Sequence, residues 1–542
     1  MSDVIASSFV FRAPVIQRAA QSDVFGIAAC VIAPLATGIL AVVLGQDANW
    51  DLRNYHWYNA HAALNGRFGI DLAPAHTPTY FNPLLDIVLY GLAMMAPAKG
   101  VSFALGLVQG FNFIPLYFIS VLLIPWWATL GRGTVGAAIA GVGLLGGGHF
   151  GLIGTTFFDN VVSIPILFGI WLSLRALHHG ESRGVMWALI GALIGFGVGL
   201  KLPAATYGLG FCVALAVADG SFRARLIRTL NGGLGAFAGM MASAGWWMGH
   251  LYVATGNPMF PFFNQVFRSP LALAEGYRDT QFVPGSPLEA IAFPFLLGLN
   301  PRIAGEIEFT DYRIAAMAAI GIALAVVLLT RRRHETVPAL SAPIVFATAF
   351  LVVSYTAWLG MFAIYRYLIT IEMLAPIMIA AMIARSPLSG AVRAVAVATV
   401  LAALAATTRP GDWGRVPWSN DFVEVSLPQD VDPGSMVLMA GHTPTAWVAS
   451  AFPDTVPFVR LHGFSYGPDD GDAGWAGEAR RRVAAHRGSM YLVIDHNERD
   501  VAEDVLTQYA LQPMIDDCRA IGSNLSDDVR LCPVNRSKAP MP

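Results

Sequence analysis

Charge is scarce in this sequence. Only 13% of its 542 residues are Asp, Glu, Lys or Arg, against 55% hydrophobic residues, about half the charged share of an ordinary soluble protein. So few charges could not cover the surface of a water-soluble chain this long. The apolar excess is gathered into runs, each long enough to cross a hydrocarbon core of roughly 30 Å. The chain therefore reads as a polytopic membrane protein. It has no basic face suited to nucleic acid, which excludes that partner class. It has no Walker A sequence and no HExxH, which argues against an ATP-driven pump and a zinc metalloprotease. Repeats and low-complexity tracts are also missing.

Cysteine is nearly absent. Of the four, Cys30 and Cys212 lie in apolar runs, while Cys518 and Cys532 stand 14 residues apart in a polar tail. The tail pair suits one disulfide if that part sits in an oxidising compartment.

The net charge of −2 hides an asymmetry. Residues 409–542 carry 12 Lys/Arg and 19 Asp/Glu, a balance of −7, and residues 1–408 a balance of +5. We expect a membrane module over 1–408 and a soluble acidic domain over 409–542. The hydrophobic runs predict eleven spans, near 24–45, 103–128, 134–153, 159–178, 185–200, 203–219, 232–253, 312–330, 341–359, 366–385 and 389–407. The run from Asp23 to Leu44 is too long for the core of a cleavable signal and reads as the first span. The stretch 83–98 is short, begins at Asn82-Pro83 and contains Asp86, so it is expected to be an interfacial helix. Basic residues then fall on one side: Arg175 and Arg183, Arg223 with Arg225 and Arg228, Arg331 to Arg333, and Arg385 with Arg393. By the bias of Lys and Arg toward cytoplasmic loops, the N-terminus is expected in the cytoplasm and the tail outside. After a Pro/Gly/Trp-rich linker, RPGDWGRVPW, the tail shows strand-like runs at 436–440, 456–461 and 489–494 with helical patterns between them. That alternation predicts a small α/β domain.

Two outer loops, 46–102 and 254–311, are long and rich in Trp, Tyr and Phe. Long ordered loops are where binding and catalysis concentrate. In the first, Asp51, Tyr55 and Tyr58 fall on one helical face, and a carboxylate beside apolar surroundings would gain proton affinity and serve as a general base. The alternative is a helix cap or a solvated loop residue. Asp159, in TTFFDN, opens the fourth span and is either an N-cap or a second functional carboxylate. Paired with Asp51 it would admit a divalent cation, Mg or Mn, or share substrate hydroxyls. Lys201 lies at an outer turn, where snorkelling is the plain alternative. Arg366 stands between Tyr365 and Tyr367, where a guanidinium suits a phosphate at headgroup depth, or anchors at the interface, or pairs with Glu372. Asp86 is the main rival to Asp51. Asp71, Glu306, Glu308 and Asp311 are further outer acids, and His442 is a candidate contact from the tail.

Two motif matches fail on context. Gly141, Gly143 and Gly146 fit a dinucleotide fingerprint but lie in an apolar span, where helix packing explains them. Gly463 to Gly467 fits a nucleophile elbow, but Pro468 and an acidic run follow where a helix should begin.

The layout over most of residues 24–385 resembles the GT-C superfamily of integral-membrane glycosyltransferases, in particular the bacterial aminoarabinose and protein-mannosyl transferases. Four features carry the resemblance: Asp51 soon after the first span, the Pro-led helix NPLLDIVLYGL, Asp159 after the third span, and Lys201 at an outer turn. It implies a multi-pass protein of the bacterial inner membrane with a periplasmic C-terminal domain. The implied reaction is inverting transfer of a sugar from a polyprenyl-phosphate carrier to a lipid, glycan or protein acceptor. Asp51 would be the catalytic base. Asp159 would assist with substrate or metal. Lys201 and Arg366 would hold the carrier phosphate, with Asn54, Tyr55, His56, Tyr58 and Asp86 contacting substrate. Many members have paired acidic residues at the first site. Here Trp50 and Leu52 flank Asp51, which leaves it a single base. The competing reading is a transporter or flippase of lipid-linked sugars, which would show repeats and charges near the bilayer midplane.

Overall fold

The computed structural model describes residues 24–124, 131–330 and 340–537. The basic run Arg331 to Arg333, the end of the 103–128 span and the N-terminal residues up to 23 lie outside these. Among the described residues, seven helices are long and apolar enough to cross a membrane. They are α1 (Val24–Leu44), the broken helix α4–α5 (Ala98–Gly110 and Phe113–Leu123), α8 (Asp159–His178), α13 (Arg313–Thr330), α14 (Ala342–Met361), the span Tyr365–Ala384, a 3₁₀ turn continuing into α15 (Ile369–Ala384), and α16 (Gly390–Thr407). The other four expected spans are helical as well: α6 (Arg132–Leu144), α9 (Gly184–Leu200), α10 (Ala205–Val217) and the 34-residue α11 (Phe222–Thr255). The 134–153 span is not one helix. It breaks at Leu145-Gly146 and restarts as the short α7 (Gly147–Gly151), because three consecutive glycines weaken helix continuity.

Small residues set the packing. A Cβ on Gly195 would lie 1.7 Å from the Ala236 carbonyl oxygen, and one on Gly239 2.0 Å from that of Ala192. Helices α9 and α11 therefore meet backbone to backbone, as small-residue stripes in membrane helices allow. Gly143 and Gly146 likewise sit against Met373 and Glu372 of α15, the packing role expected of them, whereas Gly141, expected to share it, faces nothing within 4 Å.

Helix α9 starts just after Arg183 and ends just before Lys201. The two cations thus mark opposite ends of one helix. At the Arg183 end, Glu181, Asp219, Arg223, Arg228 and Ala342 line a common cleft, so the basic loops around 181 and 223 gather together. Lys201 and the two long loops lie at the other end. The first loop holds the short helix α2 (Trp57–Leu64) and the expected interfacial helix α3 (Leu84–Met95). The second is not loop throughout, for it contains α12 (Pro287–Leu299), a proline-started helix capped by Ser286.

The tail forms a mixed sheet of β5 (Phe458–Arg460), β4 (Met436–Met439), β6 (Met490–Asp495), β10 (Val529–Arg536) and β7 (Leu511–Pro513), in that order, with a further strand, β8 (Arg519–Ala520), on β10 and a separate pair of β3 (Val425–Ser426) with β9 (Gly522–Ser523). The β4 pairings are parallel, and β10 runs antiparallel to β6 and β7. Helices α17 (Gly474–Ala485) and α18 (Arg499–Thr507) connect strands. The three strands legible in the sequence are the buried parallel ones. Cys518 and Cys532 are bridged.

The segment read as a linker is structural. Arg415-Val416 (β2) pairs with Gln46-Asp47 (β1) directly after the first helix. Leu72 of the first loop also bonds the edge of β5: its N–H reaches the Phe458 carbonyl at 2.8 Å, and its own carbonyl accepts from Arg460 at 3.0 Å. Leu52, Tyr55 and Trp57 share one apolar core with Val437, Trp447 and Phe458. The first loop and the tail domain are packed as one body.

Candidate active site

The site begins at the end of α7. Residues 154–158 form an irregular turn held by buried side chains from elsewhere. Asp47 accepts from the Thr156 N–H and hydroxyl, each at 2.8 Å, and Gln109 accepts from the Gly154 N–H at 2.6 Å. Phe158 adopts a left-handed conformation at φ 63°. That turn presents Phe157 and starts α8 at Asp159, whose carboxylate is not spent on capping. Both its oxygens accept from Lys201 Nζ at 2.9 Å, and the Phe157 carbonyl takes the same ammonium at 2.8 Å. Lys201 is turned inward rather than snorkelling out.

Arg366 enters from a single 3₁₀ turn, Tyr365–Leu368, ahead of α15. Its Nη1 lies 3.2 Å from Asp51 Oδ2 and 3.7 Å from Asp159 Oδ2, and its Nη2 lies 3.7 Å from Glu306 Oε1. The guanidinium rests 4.2 Å from the Phe157 ring centroid and 5.4 Å from that of Trp413, a desolvated cation–π setting. It does not pair with Glu372, which instead accepts from the N–H groups of Gly148 and His149.

The Tyr55 hydroxyl donates to Asp51 Oδ2 at 3.0 Å. Tyr58 does not join it. Residues Leu52–His56 wind as a π-helix, whose wider turn shifts the face, and Tyr58 donates instead to Asp71 at 2.8 Å. His56 Nδ1 meets Asp86 Oδ1 at 2.6 Å, and the Asn54 amide bonds the Ala75 carbonyl. Asp71 pairs with Arg67, and Asp311 with Arg313. The structure thus brings Asp51, Tyr55, Asp159, Lys201 and Arg366 together, adds Glu306, and sets the His56–Asp86 pair beside them, whereas Asn54 and Tyr58, expected to contact substrate, are buried on Ala75 and Asp71. Trp413, from the presumed linker, and Phe157 had no signal in the sequence beyond their aromatic character.

Electrostatics reverse one expectation. Burial pushes the Asp51 carboxyl up, but Arg366, His56 and Lys201 more than offset it and hold Asp51 below the usual carboxylate range. Asp86 is pushed up by burial, which outweighs its contact with His56. Asp159, Lys201 and Arg366 border a small cleft whose other walls include Val162, Ser163, Pro203, Ala204, Tyr207, Tyr367, Ile369 and Thr370. One edge of the cleft is cationic, and the rest mixes apolar side chains with the hydroxyl-bearing Ser163, Tyr207, Tyr367 and Thr370.

The donor set does not suit a resident divalent cation at Asp159. Both carboxylate oxygens are taken up by Lys201. Among the described residues, no group of three or more His, Cys, Asp or Glu gathers to hold a metal. Positive charge at this site comes from side chains.

No family model matches the chain, and no curated protein matches it. Among solved structures it is similar to the apo form of the Archaeoglobus fulgidus oligosaccharyltransferase. The identity is 12%, over 87% of this chain and 70% of that chain, with a TM-score of 0.44. A likeness at that score carries no functional argument, and the functional reading rests on the site itself.

Proposed function

We propose that the protein is an inverting membrane glycosyltransferase that moves a hexosyl or pentosyl group from a polyprenyl-phosphate carrier to a lipid, glycan or protein acceptor. The observation that carries this reading is the pair Lys201 and Arg366, set between two buried carboxylates at the edge of a small cleft. The cations suit a phosphate, and Val162, Pro203, Ala204 and Ile369 beside them offer apolar surface to a carrier chain. On this reading residues 1–408 are the membrane module, and 409–542 form the domain that closes over the site on the periplasmic side of a bacterial inner membrane. The Cys518–Cys532 bridge supports an oxidising compartment for that domain.

The acceptor hydroxyl gives its proton to Asp51 as its oxygen bonds the anomeric carbon. The bond from that carbon to the carrier phosphate oxygen breaks, and the electron pair leaves with the phosphate. Lys201 and Arg366 stabilise the growing charge. With Arg366 on Asp51, the carboxylate is a weak base. A bound phosphate competes for Arg366 and Lys201, and a buried Asp51 relieved of its cations gains proton affinity. Donor binding thereby activates the base. Tyr55 keeps the carboxylate aimed through its hydrogen bond.

The test is transfer from a panel of radiolabelled polyprenyl-phosphate sugars in membranes, comparing the parent with Asp51→Asn at matched expression. Incorporation that vanishes in the variant supports the reading. Movement of the lipid-linked sugar across proteoliposomes without any transfer would replace it with a flippase.

A further inference from the structure

Beside the cation pair lies a second cluster that the transfer step does not use. Trp50 directly precedes Asp51 in the chain, and its ring stacks with His76 at 6.4 Å and meets Phe464 at 5.9 Å. Phe464 also contacts His76 at 5.0 Å and His442 at 4.8 Å, and His442 lies edge-on to His462 at 4.9 Å. The members come from three separate segments: the first loop, the turn after β4, and the GFSYG turn after β5. An exposed aromatic at their centre is unusual, for Phe464 is 61% accessible while His76 beside it is 1% accessible.

Polar groups here are left without partners. Nδ1 of His462 and Nη2 of Arg460 complete no hydrogen bond, and the His76 ring has only the His442 backbone as a polar neighbour. Arg460 is fully buried, and its Nε and Nη1 are fixed on the carbonyls of Pro74 and Gly441 at 2.9 Å each, which leaves Nη2 as a preset donor. An unmet buried polar group is costly, so a native site that keeps them is arranged for something that meets them. His76 also holds φ 56° and ψ −150°, a region that non-glycine residues occupy at a cost and mostly at functional sites. Burial and the neighbouring Arg460, His442 and His462 keep His76 well below the ordinary histidine range. It is therefore neutral, with one nitrogen able to donate and the other able to accept.

Flat aromatic faces beside neutral donors and acceptors match a sugar ring, whose C–H face is apolar and whose hydroxyls both donate and accept. A peptide side chain would use the aromatics but not the set of unpaired nitrogens. We propose that Trp50, Phe464, His76, His462 and Arg460 form a docking platform for a saccharide unit of the acceptor, so that the acceptor is a carbohydrate-bearing molecule rather than a bare protein. This rests on the transferase reading above for the word acceptor. The contiguity of Trp50 with Asp51 sets the bound saccharide next to the base that would take its proton. The sequence pattern GFSYG, unused as a nucleophile elbow, supplies the exposed rim.

The full-length protein in detergent is titrated with a panel of free di- and trisaccharides built from hexoses, N-acetylhexosamines and uronic acids, and binding is read by saturation-transfer NMR. The same titration is run on the Asp51→Asn enzyme. At least one saccharide class is expected to bind both, and its affinity to fall about tenfold in Phe464→Ala and in His76→Gln. Phe464 is exposed, so its variant folds, and a parent-like melting temperature verifies this for both. Binding to no saccharide, or binding that both folded variants retain, overturns the proposal. Binding of short extended peptides that the same variants lose, with no saccharide bound, overturns it in favour of a protein acceptor. Saccharide binding lost in the variants, together with absence of transfer from every polyprenyl-phosphate donor, leaves the platform standing and removes the transferase reading instead.

Discussion

Replacing Arg366 with Met tests the centre of the site most directly. The guanidinium now stands 3.2 Å from Asp51, 3.7 Å from Asp159 and 3.7 Å from Glu306. Without it these three carboxylates face Lys201, which already serves Asp159. Two unit charges 4 Å apart interact by about 4 kcal/mol at an effective dielectric of 20, and removing one partner of a buried pair costs about 3–5 kcal/mol of stability. Loss of the contacts with Phe157 and Trp413 adds about 0.5–2 kcal/mol. The leaving phosphate loses a charged donor as well, a loss worth about 100- to 1,000-fold in rate. Thermal unfolding in detergent and initial transfer rates at saturating donor read the two effects separately. The double variant Arg366→Met/Asp51→Asn removes the orphaned carboxylate and is expected to recover much of the stability but none of the activity. Arg366→Lys keeps the charge but not the fork that reaches Asp51 and Glu306 together, so it should retain more stability than activity. A Met variant that melts and transfers like the parent would refute the reasoning.

Further outcomes follow from single features. Asp51→Asn should lower transfer by about 100- to 10,000-fold, measured at matched expression, while the chain still folds because the amide keeps the Tyr55 contact. The pH dependence of stability has a fixed sign at this residue. Asp51 is held low, so its stabilising contribution is present above its unfolded value, about 3.9, and is lost as pH falls through its lower folded value. The parent should lose melting temperature more steeply below about pH 4 than Asp51→Asn does; equal slopes would contradict the Arg366 pairing. Gly195→Val places side-chain atoms where the Ala236 carbonyl stands 1.7 Å from an ideal Cβ. It should destabilise the helix pair by at least about 1–3 kcal/mol, seen as a lower melting temperature. Removing the Cys518–Cys532 bridge, which closes a 14-residue separation, should cost about 3 kcal/mol, read by denaturant unfolding with and without reductant.

The sequence alone was enough for whatever depends on local composition. Spans such as 159–178 and 389–407 were legible because burial in lipid demands unbroken apolar runs, and the helix ends at Arg183 and Lys201 because charge is costly between them. Asp51, Asp159, Lys201 and Arg366 stood out for the same reason, as ionisable groups at the ends of apolar segments. Tertiary structure decided what each of them faces. Lys201 turned inward only because the turn at 154–158, held by Asp47 and Gln109, carries Asp159 to it. Tyr58 left the Asp51 face because a π-helical turn widened the spacing, a change of hydrogen-bond register that no side-chain pattern announces. Trp413 reached Arg366 because β1 and β2 pair across more than 360 residues of chain, and such a pairing depends on long-range backbone geometry. The lowered proton affinity of Asp51 could not be read from one segment either. It is the sum of burial, which favours the neutral acid, and of Arg366, His56 and Lys201, which come from separate segments and together outweigh it.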